Sequence, residues 1–339
     1  MTSKEFARRL GVSQSTVSRA LNDSPLVSDE RKAYILQMAQ ELGFQLNSQA
    51  QSLKTNRTGT VGILFPKHFK SMNDNMMMAR FYDHIQREMI KHDYDVMTIY
   101  DFGREDGISV FERIARRRKV DGLITLRIEL SSRERELIRE NRFPCLSLLA
   151  SSSISDELHY CLCDSEEAGF LAGTLFGGQR EYRPVYLSVE EETDDSAKRL
   201  RGFRRGLAES GRELEDGDVF YCNLSYVSAY EFAVRNIKLF RREKVAVFAY
   251  SDTLALGLLT ALREHRVRVP DQTQIIGMDG LPLTGWVRPR LSTLDVPVEE
   301  MVERGCQTLV NLIEGRAAGR LKKIHKPILV LRDTTVNPE

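Results

Sequence analysis

Residues 11–22 read Gly11-Val12-Ser13-Gln14-Ser15-Thr16-Val17-Ser18-Arg19-Ala20-Leu21-Asn22, and this order of residue types describes a tight turn that delivers a short two-faced helix. Gly11 supplies the left-handed residue that ends a preceding helix, and Ser13 can cap the next one. On that second helix Val17, Ala20 and Leu21 fall on the inward face, while Gln14, Ser15, Ser18 and Arg19 are left outward. Upstream, Ser3 stands where a cap is needed for a helix over 4–10, with Glu5 favourably placed in its first turn. Downstream, Ser28 with Asp29 and Glu30 opens a third helix whose Ile35, Met38, Ala39 and Leu42 recur at helical spacing. With Phe6, Leu10 and Val17 they predict a small three-helix core. The N-terminal unit is therefore expected to be an all-α helix-turn-helix with one supporting helix.

Spacing alone fits any small helical bundle with a polar face equally well, and charge adds a second constraint. Residues 1–57 hold eight Lys/Arg against five Asp/Glu, whereas the rest of the chain carries 41 against 43. The basic excess lies in the head, where a phosphate-binding surface needs it. The run from Thr2 to Ala7, then Gly11-Val12-Ser13, Thr16-Val17-Ser18-Arg19 and Asn22, resembles the headpiece of the lactose/galactose repressor (LacI/GalR) family. That resemblance implies a transcriptional regulator that reads double-stranded palindromic operator DNA as a homodimer. Gln14, Ser15 and Arg19 would reach base edges, Arg19 facing a guanine, and Thr2, Ser13, Ser18 and Asn22 would hold phosphates. Residues 47–55 are long enough for one short helix, and a helix of that length is marginal in water by itself. A plain polar linker is the reading without the family. In the family this is a hinge helix ordered over the minor groove, and the matching residues are Leu53 as the wedge and Ala50 one turn earlier. Gln49 departs from the pattern, since relatives commonly carry an aliphatic residue there.

From Thr60 onward the period changes. Strands over 61–65, 96–100, 120–126 and 144–149 alternate with helices over 79–91, 110–117 and 133–140. A second round sets strands over 184–189, 219–222, 245–250 and 274–278 among helices over 165–176, 197–210, 229–240 and 252–263. Such alternation argues two doubly wound parallel-sheet α/β lobes, with a helix over 298–314 returning to the first and a strand over 328–331 closing the second. The expected division is a head over 1–45, a hinge over 46–59 and a two-lobed core over 60–339. Lobe 1 takes about 60–160 and 295–323, and lobe 2 about 161–294 and 324–339. Lobes of this kind bind ligands beyond the carboxyl ends of their strands, so a facing pair makes a cleft.

The resemblance extends to this core, which is similar to periplasmic sugar-binding proteins. It rests on Asp252-Thr253-Leu254-Ala255-Leu256-Gly257, Val269-Pro270, Ile275-Ile276-Gly277-Met278-Asp279, Pro289-Arg290-Leu291-Ser292-Thr293 and Arg199-Leu200-Arg201-Gly202-Phe203. It implies that Arg199 and Asp279 face the cleft, a fork of donors beside two acceptor oxygens, a pairing suited to vicinal hydroxyls. Ser251, Leu149 and Val296 stand where sugar-responsive relatives often have asparagine, aspartate and glutamine. Met77 and Met78 replace a pair that is usually aromatic, leaving a plastic apolar wall. The expected effector site is thus Met77, Met78, Leu149, Arg199, Ser251 and Asp279. The run Glu190-Glu191-Glu192-Thr193-Asp194-Asp195 reads by itself as a solvated loop; if it lines the cleft mouth, its field disfavours anions and points to a neutral saccharide. A corepressor of purine type remains open, with the lost aromatic pair counting against a stacked base. Trp286, the single tryptophan, is expected near the crossing between lobes as a reporter of their movement.

At 339 residues and 42% apolar content the chain can fill two or three cores. It opens Met1-Thr2-Ser3-Lys4 with no apolar leader and holds no apolar run near the roughly 18 residues of a membrane span. A soluble, cytoplasmic, nucleoid-associated protein with no membrane partner is expected. Five cysteines with no metal spacing predict reduced thiols, no metal and no cofactor. No Gly-rich phosphate loop, nucleophile elbow or paired histidines occur, so no catalytic residue is assigned and an enzyme is disfavoured. A transport binding protein would share the core fold but would begin with a signal peptide. With no trailing heptad segment, a dimer is expected and not a tetramer.

Overall fold

The computed structural model describes residues 1–21, 24–44, 57–67, 69, 71–72, 75–105, 107–126, 130–149, 158–190, 193–317 and 319–336. Asn22, the hinge residues Ala50 and Leu53, and Glu191-Glu192 of the acidic run lie outside them. Two compact units result: residues 1–60 with 118–121, and residues 61–117 with 122–339.

In the first unit α1 (Ser3–Arg9), α2 (Gln14–Leu21) and α3 (Asp29–Glu41) follow the expected order. The first cap is Thr2 and not Ser3. Glu5 N donates to Thr2 Oγ1 at 3.2 Å and Thr2 N donates to Glu5 Oε2 at 2.8 Å. The reason is spacing: Thr2 has a glutamate three residues on, so two orphan donors are satisfied reciprocally, whereas Ser3 has Phe6. Gly11 takes φ +67 as the turn requires, and Thr16 N donates to Ser13 Oγ at 3.0 Å to cap α2. Ser28 has the extended backbone of a cap but makes no capping bond through its side chain. Phe6, Val17 and Ile35 are fully buried, with Ala7, Ala20, Val27, Ala39 and Phe44 around them. Leu42, expected in this core, is instead 37% exposed. The chain turns at Gly43 (φ +59) and folds Phe44 back onto Phe6, ring centres 4.0 Å apart.

The second unit carries two six-stranded sheets. The first uses β1 (Thr60–Leu64), β2 (Asp95–Ile99), β5 (Gly122–Thr125), β6 (Cys145–Ser147), β7 (His159–Cys163) and β13 (Lys322–His325), in the order β13-β7-β6-β5-β1-β2. Its helices are α4 (Met76–Lys91), α5 (Val110–Arg117), α6 (Ser132–Asn141) and α12 (Val298–Glu314), and a small hairpin of β3 (Arg104–Glu105) and β4 (Ile108–Ser109) precedes α5. The second sheet uses β8 (Arg183–Val189), β9 (Val219–Cys222), β10 (Val245–Ala249), β11 (Thr273–Asp279), β12 (Ser292–Asp295) and β14 (Ile328–Val330), in the order β14-β12-β11-β10-β8-β9. Its helices are α7 (Ser165–Gly177), α8 (Asp194–Ala208), α9 (Tyr226–Arg235), α10 (Ile237–Arg242) and α11 (Asp252–Glu264). Central ladders are parallel, Ile63 opposite Ile124 and Val247 opposite Ile275, and β14 closes the second sheet antiparallel to β12. Every residue of β10 is buried, which is why Val245-Ala246-Val247-Phe248-Ala249 reads as a continuous apolar run.

The chain passes between the sheets after β7, after β12 and after β13, a few residues beyond the boundaries expected at 160, 294 and 323. Trp286 is not at a crossing. It follows the turn Pro282–Gly285 ahead of β12, within the second lobe, and is 75% exposed. The helix expected over 229–240 is two helices separated at Asn236, which leaves helical geometry at φ −102, ψ 18 while its N and Nδ2 both donate to Phe232 O, at 3.0 and 2.9 Å. Among the described residues no helix is long and apolar enough to cross a membrane.

One helix pair fixes the cleft geometry. Along α7 and α8, Gly169, Gly173, Gly202 and Gly206 meet so closely that a Cβ on Gly169 would stand 2.0 Å from Arg199 O. A Cβ on Gly202 would stand 1.9 Å from Glu166 O. Backbone therefore packs directly on backbone, and Arg199 is held where α8 approaches the strand ends.

Candidate functional site

The rotation of α2 is set from below. Val17 and Ala20 are buried, so Ser13, Gln14, Ser15 and Arg19 stand exposed and Ser18 is half-buried. Ser13 Oγ lies 2.7 Å from Ser15 Oγ and 2.8 Å from Thr16 Oγ1, which knits the start of the helix into a row of hydroxyls. No acidic residue occupies the first turn of α2, so its free N–H groups and the positive end of its dipole are left for an anion. Lys4, Arg8 and Arg9 are exposed on α1. Thr2 is exposed, with its hydroxyl engaged in the capping box. The face joins hydrogen-bonding side chains to cations, as a DNA groove requires.

Within the second unit, the carboxyl ends of both sheets border a cavity of about 350 Å³, within the range of small-molecule sites. The structure brings Met77, Met78, Leu149, Arg199, Ser251 and Asp279 together around it, with Val296 beside them. Its walls differ in chemistry. The first lobe is mainly apolar, with Met77, Met78, Leu148 and Leu149 beside Lys67 and Asn75, and the second is more polar, with Glu190, Asp195, Arg199, Asn223, Ser251 and Asp279 among the apolar Val189, Leu224 and Met278. Asn75 caps α4, accepting from Met78 N at 3.2 Å, and so fixes the methionine pair at the rim. Sequence reasoning missed Tyr250 and Asn223, while Asp195 belongs to the acidic run expected at the cleft mouth. The signal was present for the first two, since each directly follows a strand that ends at the cleft.

Arg199 is 8% exposed. Its Nη1 donates to Tyr250 O at 2.5 Å and its guanidinium lies 4.2 Å from the centre of the Tyr250 ring, while its Nε is buried without a hydrogen-bond partner among the described residues. A buried donor in that state favours any ligand that brings an acceptor. Asp279 ends β11 with φ +126 and is 9% exposed. Burial and the neighbouring Asp252 raise its carboxyl well above the usual carboxylate range, with Arg199 pulling the other way. Asp252 lies beneath, its Oδ1 accepting from Thr293 Oγ1 at 2.6 Å and its Oδ2 from Leu281 N at 2.8 Å, and burial raises its carboxyl to about 6. Ser251 caps α11 by accepting from Leu254 N at 3.2 Å. Burial pushes the Cys163 thiol up to about 12, which keeps it a neutral part of the wall. Among the described residues no group of three or more His, Cys, Asp and Glu could hold a metal ion.

Residues 2–47 match the family described as bacterial regulatory proteins, lacI family, and residues 178–335 match the periplasmic binding protein-like domain. The HTH-type transcriptional repressor PurR of Vibrio vulnificus is 25% identical over 334 residues, covering 98% of each chain. Among solved structures, the lac repressor dimer bound to operator and the anti-inducer ONPF superposes with a TM-score of 0.81 at 18% identity, covering 99% of each chain. The transcriptional regulator CelR in complex with cellobiose gives a TM-score of 0.70 at 21% identity, covering 98% of this chain and 99% of that one.

Proposed function

This chain belongs to the lacI family of bacterial regulatory proteins, with that family's DNA-binding domain ahead of a periplasmic binding protein-like domain, and from that premise we propose a homodimeric repressor of carbohydrate-utilisation genes switched by a neutral saccharide. The head over 1–45 reads one half of a palindromic operator through Gln14, Ser15 and Arg19. Thr2, Ser13, Ser18 and Asn22 hold phosphates, which position the head without specifying sequence. The hinge over 46–59 inserts Leu53, with Ala50 behind it, at the central base step. The core over 60–339 takes the effector in its cleft, and rotation of one lobe on the other alters the spacing of the two hinges, an order-to-disorder switch.

The observation that carries the effector assignment is the pairing of the unpartnered Arg199 Nε with the Asp279 carboxyl on one wall of the cavity. Vicinal hydroxyls supply the acceptor that the first lacks and the donors that the second accepts. The opposite wall of Met77, Met78 and Leu149 suits the apolar face of a pyranose or an apolar substituent. Glu190 and Asp195 line the same cavity together with the cations Lys67 and Arg199, so sugar phosphates belong in the ligand panel as a direct comparison. Similarity to a regulator solved with cellobiose supports this reading. A purine-like corepressor is the second reading, favoured by similarity to the repressor PurR along nearly the whole chain.

A thermal-shift panel of neutral saccharides, sugar phosphates, nucleosides and purines, followed by operator binding with each hit, separates the two. A ligand at about 100 times its Kd adds roughly 2.7 kcal/mol of stability. Stabilisation by a neutral saccharide that also weakens operator binding is the expected result. A purine that strengthens operator binding replaces the first reading with the second, and silence from the whole panel overturns both.

A further inference from the structure

Arg80 stands on the first turns of α4, in the first lobe, yet both of its hydrogen bonds described here reach the second. Its Nη1 donates to Asp279 O at 2.6 Å and to Asp295 Oδ1 at 2.8 Å. Both side chains of the ion pair are largely sheltered, 19% exposed for Arg80 and 30% for Asp295. The site is shaped to allow the contact. Gly280 takes φ +70, and a Cβ there would lie 1.9 Å from Asp295 Oδ1, so only glycine lets the carboxylate settle against the bend after β11. From below, Gly280 N donates to Thr293 Oγ1 at 3.3 Å, and Thr293 Oγ1 in turn donates to the buried Asp252 at 2.6 Å. The peptide after Asp279 is thus held on one side by its own lobe and on the other by an arginine from the opposite lobe.

The geometry points to Arg80 as a positioning residue that acts through Asp279, tying the effector wall of the second lobe to closure of the first lobe upon it. Asp279 belongs to both linkages: its side chain lines the cavity and its carbonyl is the anchor for Arg80. Opening the lobes must either break the two Arg80 bonds or displace Asp279. Conversely, a ligand that shifts Asp279 acts directly on an interlobe contact. The inference goes beyond the saccharide assignment, because the strut exists whichever ligand occupies the cleft.

The test measures the interlobe distance distribution in the full chain by pulsed electron resonance. Spin labels are attached at E140C in the first lobe and E209C in the second, both exposed positions. The background is C163A, because Cys163 is the cysteine that is not fully buried, and labelled chain is mixed with excess unlabelled chain. R80A is expected to move the distribution to longer distances and broaden it, with R80K in between because the lysine ammonium ends one bond short of the place where Nη1 makes both contacts. D295A should move it in the same direction, and the R80A/D295A double variant no further than R80A alone. A merely structural role would lower the melting temperature without this non-additive shift. Superposition of the R80A and parent distributions overturns the proposal, as does simple addition of the two single effects. Should R80A fail to fold, R80K and D295N decide by the same criterion.

Discussion

At the scale of single residues, two side chains carry separable predictions. Arg19 is exposed on a helix whose other face is locked by Val17 and Ala20, so its loss should touch recognition and little else. Arg19→Ala should cost roughly 1 to 3 kcal/mol on the cognate operator and relax the preference at one base pair. Equal loss on random DNA, in titrations at fixed salt, would reduce Arg19 to a phosphate contact. Asp252 governs a pH effect instead. Its carboxyl is raised by burial from the usual 3.8 to about 6, so the folded state binds a proton more tightly than the unfolded one. That contribution is fully present below about pH 4 and is lost as pH rises through about 6. Between those values the melting temperature should therefore carry a falling component with rising pH, and Asp252→Asn should reduce it, the neighbouring Asp279, also raised by burial, supplying the remainder. A Asp252→Asn variant with an unchanged slope would assign the effect elsewhere. Arg199 and Asp279 were legible in the sequence through the motifs around them, whereas the place of Tyr250 at a strand end was legible and its service to Arg199 was not. Its carbonyl and ring serve Arg199, and that use exists only once β10 and α8 are neighbours. Thr2 shows the same limit in miniature, since a cap is chosen by its partner three residues on.

At the scale of elements, the alternation of apolar strands and two-faced helices was readable because buried parallel strands are long apolar runs and their helices keep a 3.6-residue period. What escaped were the two-residue strands β3 and β4, and β12 and β13, where Ser292-Thr293-Leu294-Asp295 and Lys322-Lys323-Ile324-His325 hold polar residues in place of an apolar run. The break at Asn236 also escaped, because a single residue leaving helical geometry does not interrupt the apolar period on either side. The closeness of α7 and α8 had a visible trace in Gly169-x-x-x-Gly173 and Gly202-x-x-x-Gly206, but spacing alone does not say which helices meet. Gly202→Ala tests the packing. Its new methyl would meet Glu166 O at 1.9 Å, and overpacking of this kind costs about 1 to 3 kcal/mol or more. Because α8 also carries Arg199, the same variant should weaken saccharide binding beyond what a melt predicts. Loss of stability in chemical denaturation with unaltered ligand affinity would separate the helix contact from the site.

At the scale of the whole molecule, the order of a basic reading head before a two-lobed core could be taken from the sequence, because charge asymmetry and the change of period at Thr60 are both linear features. The occupant of the cleft could not, since its walls come from chain segments more than a hundred residues apart that only the fold unites. The coupling between head and cleft is nevertheless constrained by thermodynamics. If a saccharide weakens operator affinity by some factor, the operator must weaken saccharide affinity by the same factor. Measuring both legs on the full chain should return one number, and two different numbers would mean that the ligand acts on the head itself or at a second site. On the proposed reading Leu53 acts only in the minor groove, so Leu53→Ala should weaken operator binding and reduce DNA bending while leaving saccharide affinity of the DNA-free chain unchanged. R80A, by contrast, should leave the DNA-reading face intact yet bring the coupling factor towards one, since the strut joins the lobes whose movement carries the signal. A Leu53→Ala chain that bends the operator as the parent does would remove the hinge from the switch and leave lobe rotation without its route to DNA.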